Sequence, residues 1–304
     1  MGPEPMGLFD TLAAHPALFI GVCVVLGLLI GSFLNVVIHR VPIMMDNELR
    51  AECAALANPE APEDPAPAFN IITPRSACPA CKAPITPEQN IPVVSWLMLK
   101  GKCASCGVRI SARYPLVELA TAILSGLVAW HFGFGFHALA ALGFTWLLIA
   151  LTMIDFDTQF LPDQLTYPLL WLGLLVSLTR PVWGEGAAAV TPQDSIIGAV
   201  AGYLSLWSVY WGFKWLTGKE GMGYGDFKLF AGLGAWLGWQ MLLPTLLFAS
   251  GVGAVFGIVM MIRQRKGRDT HMAFGPFLAI AGWLALMFGH YVVARYFTTY
   301  DALG

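Results

Sequence analysis

"ALFIGVCVVLGLLIGSFLNVVI", residues 17–38, runs for twenty-two positions without a charged side chain. As a helix it rises about 33 Å at 1.5 Å per residue, enough for a hydrocarbon layer about 30 Å thick. Its apolar residues continue without the alternation of a barrel strand, so the run reads as helix. No basic stretch precedes it and no A-x-A cleavage site follows it, which makes it an anchor rather than a removable leader.

Seven further apolar windows follow, near 114–134, 138–154, 165–181, 195–217, 227–239, 241–262 and 272–294. The expected fold is an all-α polytopic membrane protein with about eight transmembrane helices. Composition agrees: the 304 residues are 57 % hydrophobic and 12 % charged, against about 25 % charged in a soluble domain. Mean hydropathy is +0.66. In a bilayer the backbone must satisfy its own hydrogen bonds, which leaves helices or closed barrels. A net charge of −2 with no basic stripe excludes nucleic acid as a partner.

Lysine and arginine set the orientation. Eight lie in the segment 39–113, while Lys214, Lys219 and Lys228 flank a glycine-rich loop. Arg263, Arg265, Lys266 and Arg268 follow the seventh span. Threading eight spans puts all of these on one side and leaves Arg180 and Arg295 on the other. The positive-inside rule makes the crowded side cytoplasmic and both termini periplasmic, with the inner membrane as the location.

The expected organisation is 1–38 (outer terminus and first span), 39–113 (cytoplasmic insertion) and 114–304 (membrane-embedded domain). The insertion opens with a linker, "ALANPEAPEDPAPAF" (55–69), whose proline and acid content predicts an extended chain. Residues 181–194 are expected to form an outer polar loop.

Between 75 and 113, Cys78, Cys81, Cys103 and Cys106 read C-x2-C-x21-C-x2-C. Two residues between thiolates let one tight knuckle aim both sulfurs at a single ion. Two knuckles then complete a closed tetrahedral zinc site with no open position, structural rather than catalytic. "CPACKAPI" (78–85) and "CASCGVRI" (103–110) share C-x-x-C-x-x-x-I, a duplication suited to a pseudo-symmetric zinc ribbon. A cytoplasmic compartment disfavours the alternative of disulfides.

"EGMGYGDFKL" (220–229) places a carboxylate, Asp226, at the mouth of an apolar span. Such a group is costly near lipid and marks function. Gly223 and Gly225 free the backbone and let another chain approach. One carboxylate cannot work as an aspartic protease, but a pair sharing a proton can activate water. The partner is sought in "TMIDFDTQFLPDQLTYP" (152–168). Asp155 directly ends an apolar span and is best placed to face Asp226. Asp157 reads as solvated loop, and Asp163, following Leu-Pro, as a helix N-cap.

At this point the chain resembles the type IV prepilin leader peptidases, bifunctional membrane enzymes of the GxGD aspartyl protease class. The resemblance covers nearly the whole length: "GSFLNVVIHR" (31–40), both cysteine knuckles, "EQNIPVVSW" (88–96), "RYPLVELAT" (113–121), "LPDQLTYPLLWLGLL" (161–175) and the glycine-rich motif. It implies Asp155 and Asp226 as the catalytic pair. It also implies prepilins and type II secretion pseudopilins as substrates, cut after a glycine just before their apolar helix. The new N-terminal residue is then methylated with S-adenosylmethionine, an activity the resemblance attaches to the cytoplasmic insertion.

No G-x-G-x-x-G follows a predicted strand, so no Rossmann cofactor site is readable. Glu118, early in the second span, reads either as an anion pairing with Arg113 or as the counter-charge for a cation, the sulfonium or the peptide amine. Two rival readings exist. A presenilin-like intramembrane protease is disfavoured by Ile154 before Asp155 and by the cysteine knuckles. A scaffold or transporter predicts paired broken helices in matching halves, and only one short span is visible.

Overall fold

The structure is a computed structural model and describes residues 7–57, 69–179, 190–264 and 273–301. Most of the expected linker, the outer loop up to residue 189 and the basic residues 265–268 lie outside these. Ten α-helices are described: α1 (Leu8–Ala14), α2 (Pro16–Ala57), α3 (Val94–Met98), α4 (Arg113–Phe132), α5 (Phe136–Thr158), α6 (Asp163–Ser177), α7 (Pro192–Thr217), α8 (Tyr224–Leu237), α9 (Leu242–Gln264) and α10 (Gly275–Asp301). Among the described residues there is no strand, only two isolated antiparallel bridges. Five helical stretches are long and apolar enough to cross a membrane: α2, α4, α5, α7 and the continuous Trp239–Ile262. The chain divides into two compact units, 1–138 and 139–304.

The first unit is built on α2 against α4. Gly27 and Gly31 lie one turn apart on α2. A Cβ at Gly27 would stand 2.8 Å from the Ala122 Cα, and one at Gly31 2.7 Å from the Glu118 Cα. The two backbones therefore touch, as small residues allow when lipid supplies no hydrophobic drive for association. Asn35 fixes the register, its side-chain amide donating to the Tyr114 carbonyl at 3.1 Å.

Helix α2 does not stop where the apolar run does. It continues to Ala57, because residues 43–57 are rich in Met, Glu, Leu, Arg and Ala, all good helix formers. Arg50 pairs with Asp46 one turn back at 2.9 Å. Just past the apolar run, Arg40 is buried. Its guanidinium donates to the Asn70 carbonyl at 2.7 Å and to that of Pro74, and lies over the Phe69 ring. This ties the start of the cysteine-rich lobe to α2.

The second unit is arranged around α8. Asp226, Phe227 and every residue from Leu229 to Leu237 are buried, so Lys228 interrupts an otherwise enclosed helix. Fourteen residues rise only about 21 Å, too short to span alone, and the helix is wrapped by protein. Gly198 on α7 meets the Gly234 carbonyl on α8 backbone to backbone, and Gly202 meets that of Phe230. On α6, Gly173 makes room for the Trp236 indole, whose N–H donates to the Leu169 carbonyl at 2.8 Å. On α10, Gly282 receives Leu233. This close packing leaves the N-terminal turn of α8 as the place where a polar group can be held.

Candidate active site

Helix α8 begins at the glycine-rich motif. Gly223 is its N-cap, with extended backbone (φ −81°, ψ 151°), and Asp226 is the third helical residue. From there the Asp226 carboxylate reaches back toward the Gly223 backbone N–H, which favours its charged form. That N–H is one of the donors the helix itself cannot satisfy.

Gly225 has a different role. A Cβ there would lie 2.7 Å from the Leu161 Cβ, so only glycine lets Leu161 seat against the motif. Leu161 belongs to the turn between α5 and α6. The same side chain would also meet a Cβ at Gly275, 3.2 Å from Leu161 Cδ1. One leucine therefore separates two glycine backbones.

Asp155 occupies the last turn of α5 and is 4 % exposed, against 7 % for Asp226. Its carboxylate accepts the backbone N–H of Gly275, the first residue of α10. A Cβ at Gly275 would stand 2.5 Å from Asp155 Oδ2. That oxygen is buried and has no hydrogen-bond partner among the described residues. Asp155 is also the charge that acts on Asp226. Two carboxylates from helix ends seventy-one positions apart in sequence thus lie within electrostatic reach, each beside a glycine N–H.

Asp163 is not the N-cap that the sequence suggested. Pro162 holds the cap position, with no side-chain cap bond, and Asp163 is the first helical residue. Its carboxylate instead accepts both available bonds from Lys228 Nζ, at 2.6 and 2.8 Å. The Lys228 ammonium also sits 5.3 Å from the centroid of the Tyr167 ring. On the motif's N-terminal side, Glu220 accepts from Lys214 Nζ at 2.8 Å, which holds its carboxyl below its ordinary value.

In the first unit, the two cysteine knuckles superpose in their bonding. Cys78 N–H donates to the Ala83 carbonyl, Lys82 to Cys78 and Ile85 to Ser76; twenty-five residues on, Cys103 donates to Val108, Gly107 to Cys103 and Ile110 to Gly101. Lys82 and Gly107 both take positive φ, 58° and 71°. The Ala80 and Cys81 amides face the Cys78 sulfur, and those of Cys106 and Ser105 bring the Cys103 thiol down to about 6. The Val108 N–H alone would lower Cys106, but burial and the sulfurs of Cys81, Cys103 and Cys78 push it up to about 11. All four Sγ atoms lie within 4.8 Å of one another. Such a set cannot ionise fully without a cation in its midst, and it can hold a metal ion.

Glu118 is 8 % exposed. It accepts the Val93 backbone N–H at 2.7 Å. Val93 itself has φ 60° and ψ −48°, with the Val94 N–H returning to the Pro92 carbonyl. This is a positive-φ γ-turn, a rare and strained conformation made costlier by a β-branched residue.

Sequence reading missed Gly275, Leu161, Lys228 and Val93. A signal existed for one of them: "FGPF" (274–277) opens an apolar run, and Gly-Pro there marks a helix N-terminus with free N–H groups.

The class so defined is a polytopic helical membrane protein with a buried acidic pair in one unit and a four-thiol cage in the other. Residues 25–132 match the bacterial peptidase A24 N-terminal domain, and 142–258 match the type IV leader peptidase family. Curated proteins named prepilin leader peptidase/N-methyltransferase are similar throughout. That of Stutzerimonas stutzeri is 54 % identical over 94 % of this chain and 96 % of its own. Those of Pseudomonas aeruginosa and Aeromonas hydrophila are each 52 % identical over 96 % of this chain, covering 98 % and 99 % of theirs. No solved structure matches the chain. The chain belongs to the type IV leader peptidase family, and it is an enzyme, a peptidase with methyltransferase activity.

Proposed function

We propose that this enzyme removes the leader peptide of type IV prepilins and type II secretion pseudopilins at the cytoplasmic face of the inner membrane, then methylates the new N-terminal residue. The observation that carries the reading is that buried Asp155 and Asp226 act on one another, with Leu161 packed against a glycine next to Asp226 and a glycine beside Asp155. In a pair sharing one proton, the ionised carboxylate takes a proton from water as it attacks the peptide carbonyl, and the protonated partner donates to the carbonyl oxygen. The unpartnered Asp155 Oδ2 is an acceptor available to that water. The relatives' printed names support prepilins as substrates.

Peptidase chemistry is assigned to 114–304, and methyl transfer to the insertion 39–113. The eight-span reading takes α2 and α4 to α10 as the spans, with the short α8 enclosed by its neighbours in the second unit. The charge distribution supports both termini as periplasmic and the acidic pair as cytoplasmic.

The thiol cage suits structural zinc. Cys78–Cys106 and Cys81–Cys103 sulfurs are 3.9 and 4.0 Å apart, and a tetrahedral zinc with sulfurs at about 2.3 Å spaces them about 3.8 Å from one another. S-adenosylmethionine supplies an electrophilic methyl group when bound. Its sulfonium calls for an anion in dry surroundings, and Glu118 is the buried carboxylate of the first unit among the described residues.

The test is incubation of the purified protein in detergent with a prepilin and isotope-labelled S-adenosylmethionine, read by mass spectrometry. Leader loss and a labelled methyl on the new N-terminus are expected. An intact prepilin would overturn the peptidase reading, and a cut but unlabelled product the methylation. Asp155→Asn and Asp226→Asn should each abolish cleavage while methylation of a pre-cleaved pilin persists. Glu118→Gln should lower methylation with cleavage intact.

A further inference from the structure

Lys228 is the one residue between Asp226 and Leu237 that α8 does not bury, and it is two positions from Asp226. Its ammonium meets Asp163 at 2.6 and 2.8 Å on the first turn of α6 and lies over Tyr167 one turn further. Asp163 is eight residues beyond Asp155, across a turn that contains Leu161. Leu161 in turn seats between Gly225, next to Asp226, and Gly275, whose N–H holds Asp155.

The turn 159–163 therefore touches the supports of both carboxylates. It presses an apolar wedge between them and is bolted to α8 by an ion pair. We infer that Asp163 and Lys228 are positioning residues for the cleavage reaction: their ion pair, with Leu161 as spacer, fixes the separation of Asp155 and Asp226.

The inference rests on the acidic pair being catalytic. A surface ion pair between flexible side chains contributes little on its own, and this one is partly exposed, with Lys228 at 27 % and Asp163 at 43 %. Its value lies in geometry. Both oxygens are engaged, the ammonium is backed by an aromatic face, and the two helix starts it joins carry or adjoin the reacting groups. A misplacement of about 1 Å caused away from the reacting atoms can cost on the order of 10²-fold in rate.

Asp163→Asn and Lys228→Met are each expected to lower kcat for prepilin cleavage on the order of 10- to 100-fold, with KM within about two-fold because neither residue is placed against substrate. The reversed pair, Asp163→Lys with Lys228→Asp, should recover at least half of the lost kcat. Lys228→Arg, which keeps a two-pronged bond to Asp163, should retain most of it. Thermal unfolding and gel filtration of the detergent-solubilised protein monitor folding in every variant.

Unchanged kcat in folded Asp163→Asn or Lys228→Met would overturn the inference. So would a loss that neither the reversed pair nor Lys228→Arg restores, because that would place Lys228 on the substrate. If a single variant fails to fold, Lys228→Arg decides: retained kcat supports the inference, lost kcat sinks it. Cleavage by Asp155→Asn or Asp226→Asn would refute the acidic-pair reading instead, which keeps the two failures distinct.

Discussion

Gly223 and Asp226 stand three residues apart at the start of α8, with the carboxylate reaching back toward the N-cap amide. The glycine offers only its backbone N–H there, and its backbone angles are open to any residue. A Cβ at Gly223 would find its nearest atom 3.9 Å away, whereas one at Gly225 would sit 2.7 Å from the Leu161 Cβ. The two glycines of one motif are therefore not equivalent. Gly223→Ala should keep at least half of the cleavage rate. Gly225→Ala should lose on the order of 10²-fold, with partial recovery in the double variant Gly225→Ala/Leu161→Ala. Equal loss in both single variants, measured on one prepilin, would contradict this.

Gly275 is predicted to be as intolerant as the motif itself. Any side chain there would have its Cβ 2.5 Å from Asp155 Oδ2, so the carboxylate itself would have to move. Gly275→Ala should cut cleavage kcat by about 10²-fold and leave methylation of a pre-cleaved pilin unchanged. Wild-type cleavage by this variant would show that Asp155 tolerates displacement.

The helices were legible because apolar length and charge-free runs are read directly against bilayer thickness. Each of the eight windows overlaps a described helix, and five helical stretches are long and apolar enough to cross a membrane. The cysteine cage was legible for a related reason, since C-x2-C encodes its own geometry. Asp163 was misread because Leu-Pro-Asp before an apolar run looks like a cap, and nothing local reveals that Lys228, sixty-five positions on, competes for the carboxylate. Leu161 and Gly275 act through packing between segments remote in sequence, which no window of the chain displays. The run of α2 beyond residue 38 was hidden because hydropathy marks where a membrane ends, whereas helix propensity decides where a helix does.

The thiol cage should hold one zinc per chain, measurable by elemental analysis of the purified protein. Cys103→Ser should abolish that zinc and expose the amides of 76–110 to fast hydrogen exchange, because a lobe with so little core draws its folding energy from the metal. Cleavage should persist, since both aspartates belong to the other unit. A metal-free wild-type protein with protected amides would refute a structural role for the ion.

Val93 stores strain that its surroundings must hold in place. A β-branched residue at φ 60°, ψ −48° costs on the order of 1–3 kcal/mol, and the bond from its N–H to Glu118 is the restraint that keeps it there. Val93→Gly removes the steric penalty but gives back about 0.5–1 kcal/mol through the freer unfolded chain, so the amides of 88–99 should exchange somewhat more slowly. Glu118→Ala acts in the opposite sense. It leaves a half-buried N–H unpaired at a cost of about 1 kcal/mol, and the same amides should exchange faster. The two variants separate strain from charge. If methyl transfer depends on the turn being held taut, it falls in both; if it depends on the carboxylate alone, it survives in Val93→Gly and is lost in Glu118→Ala.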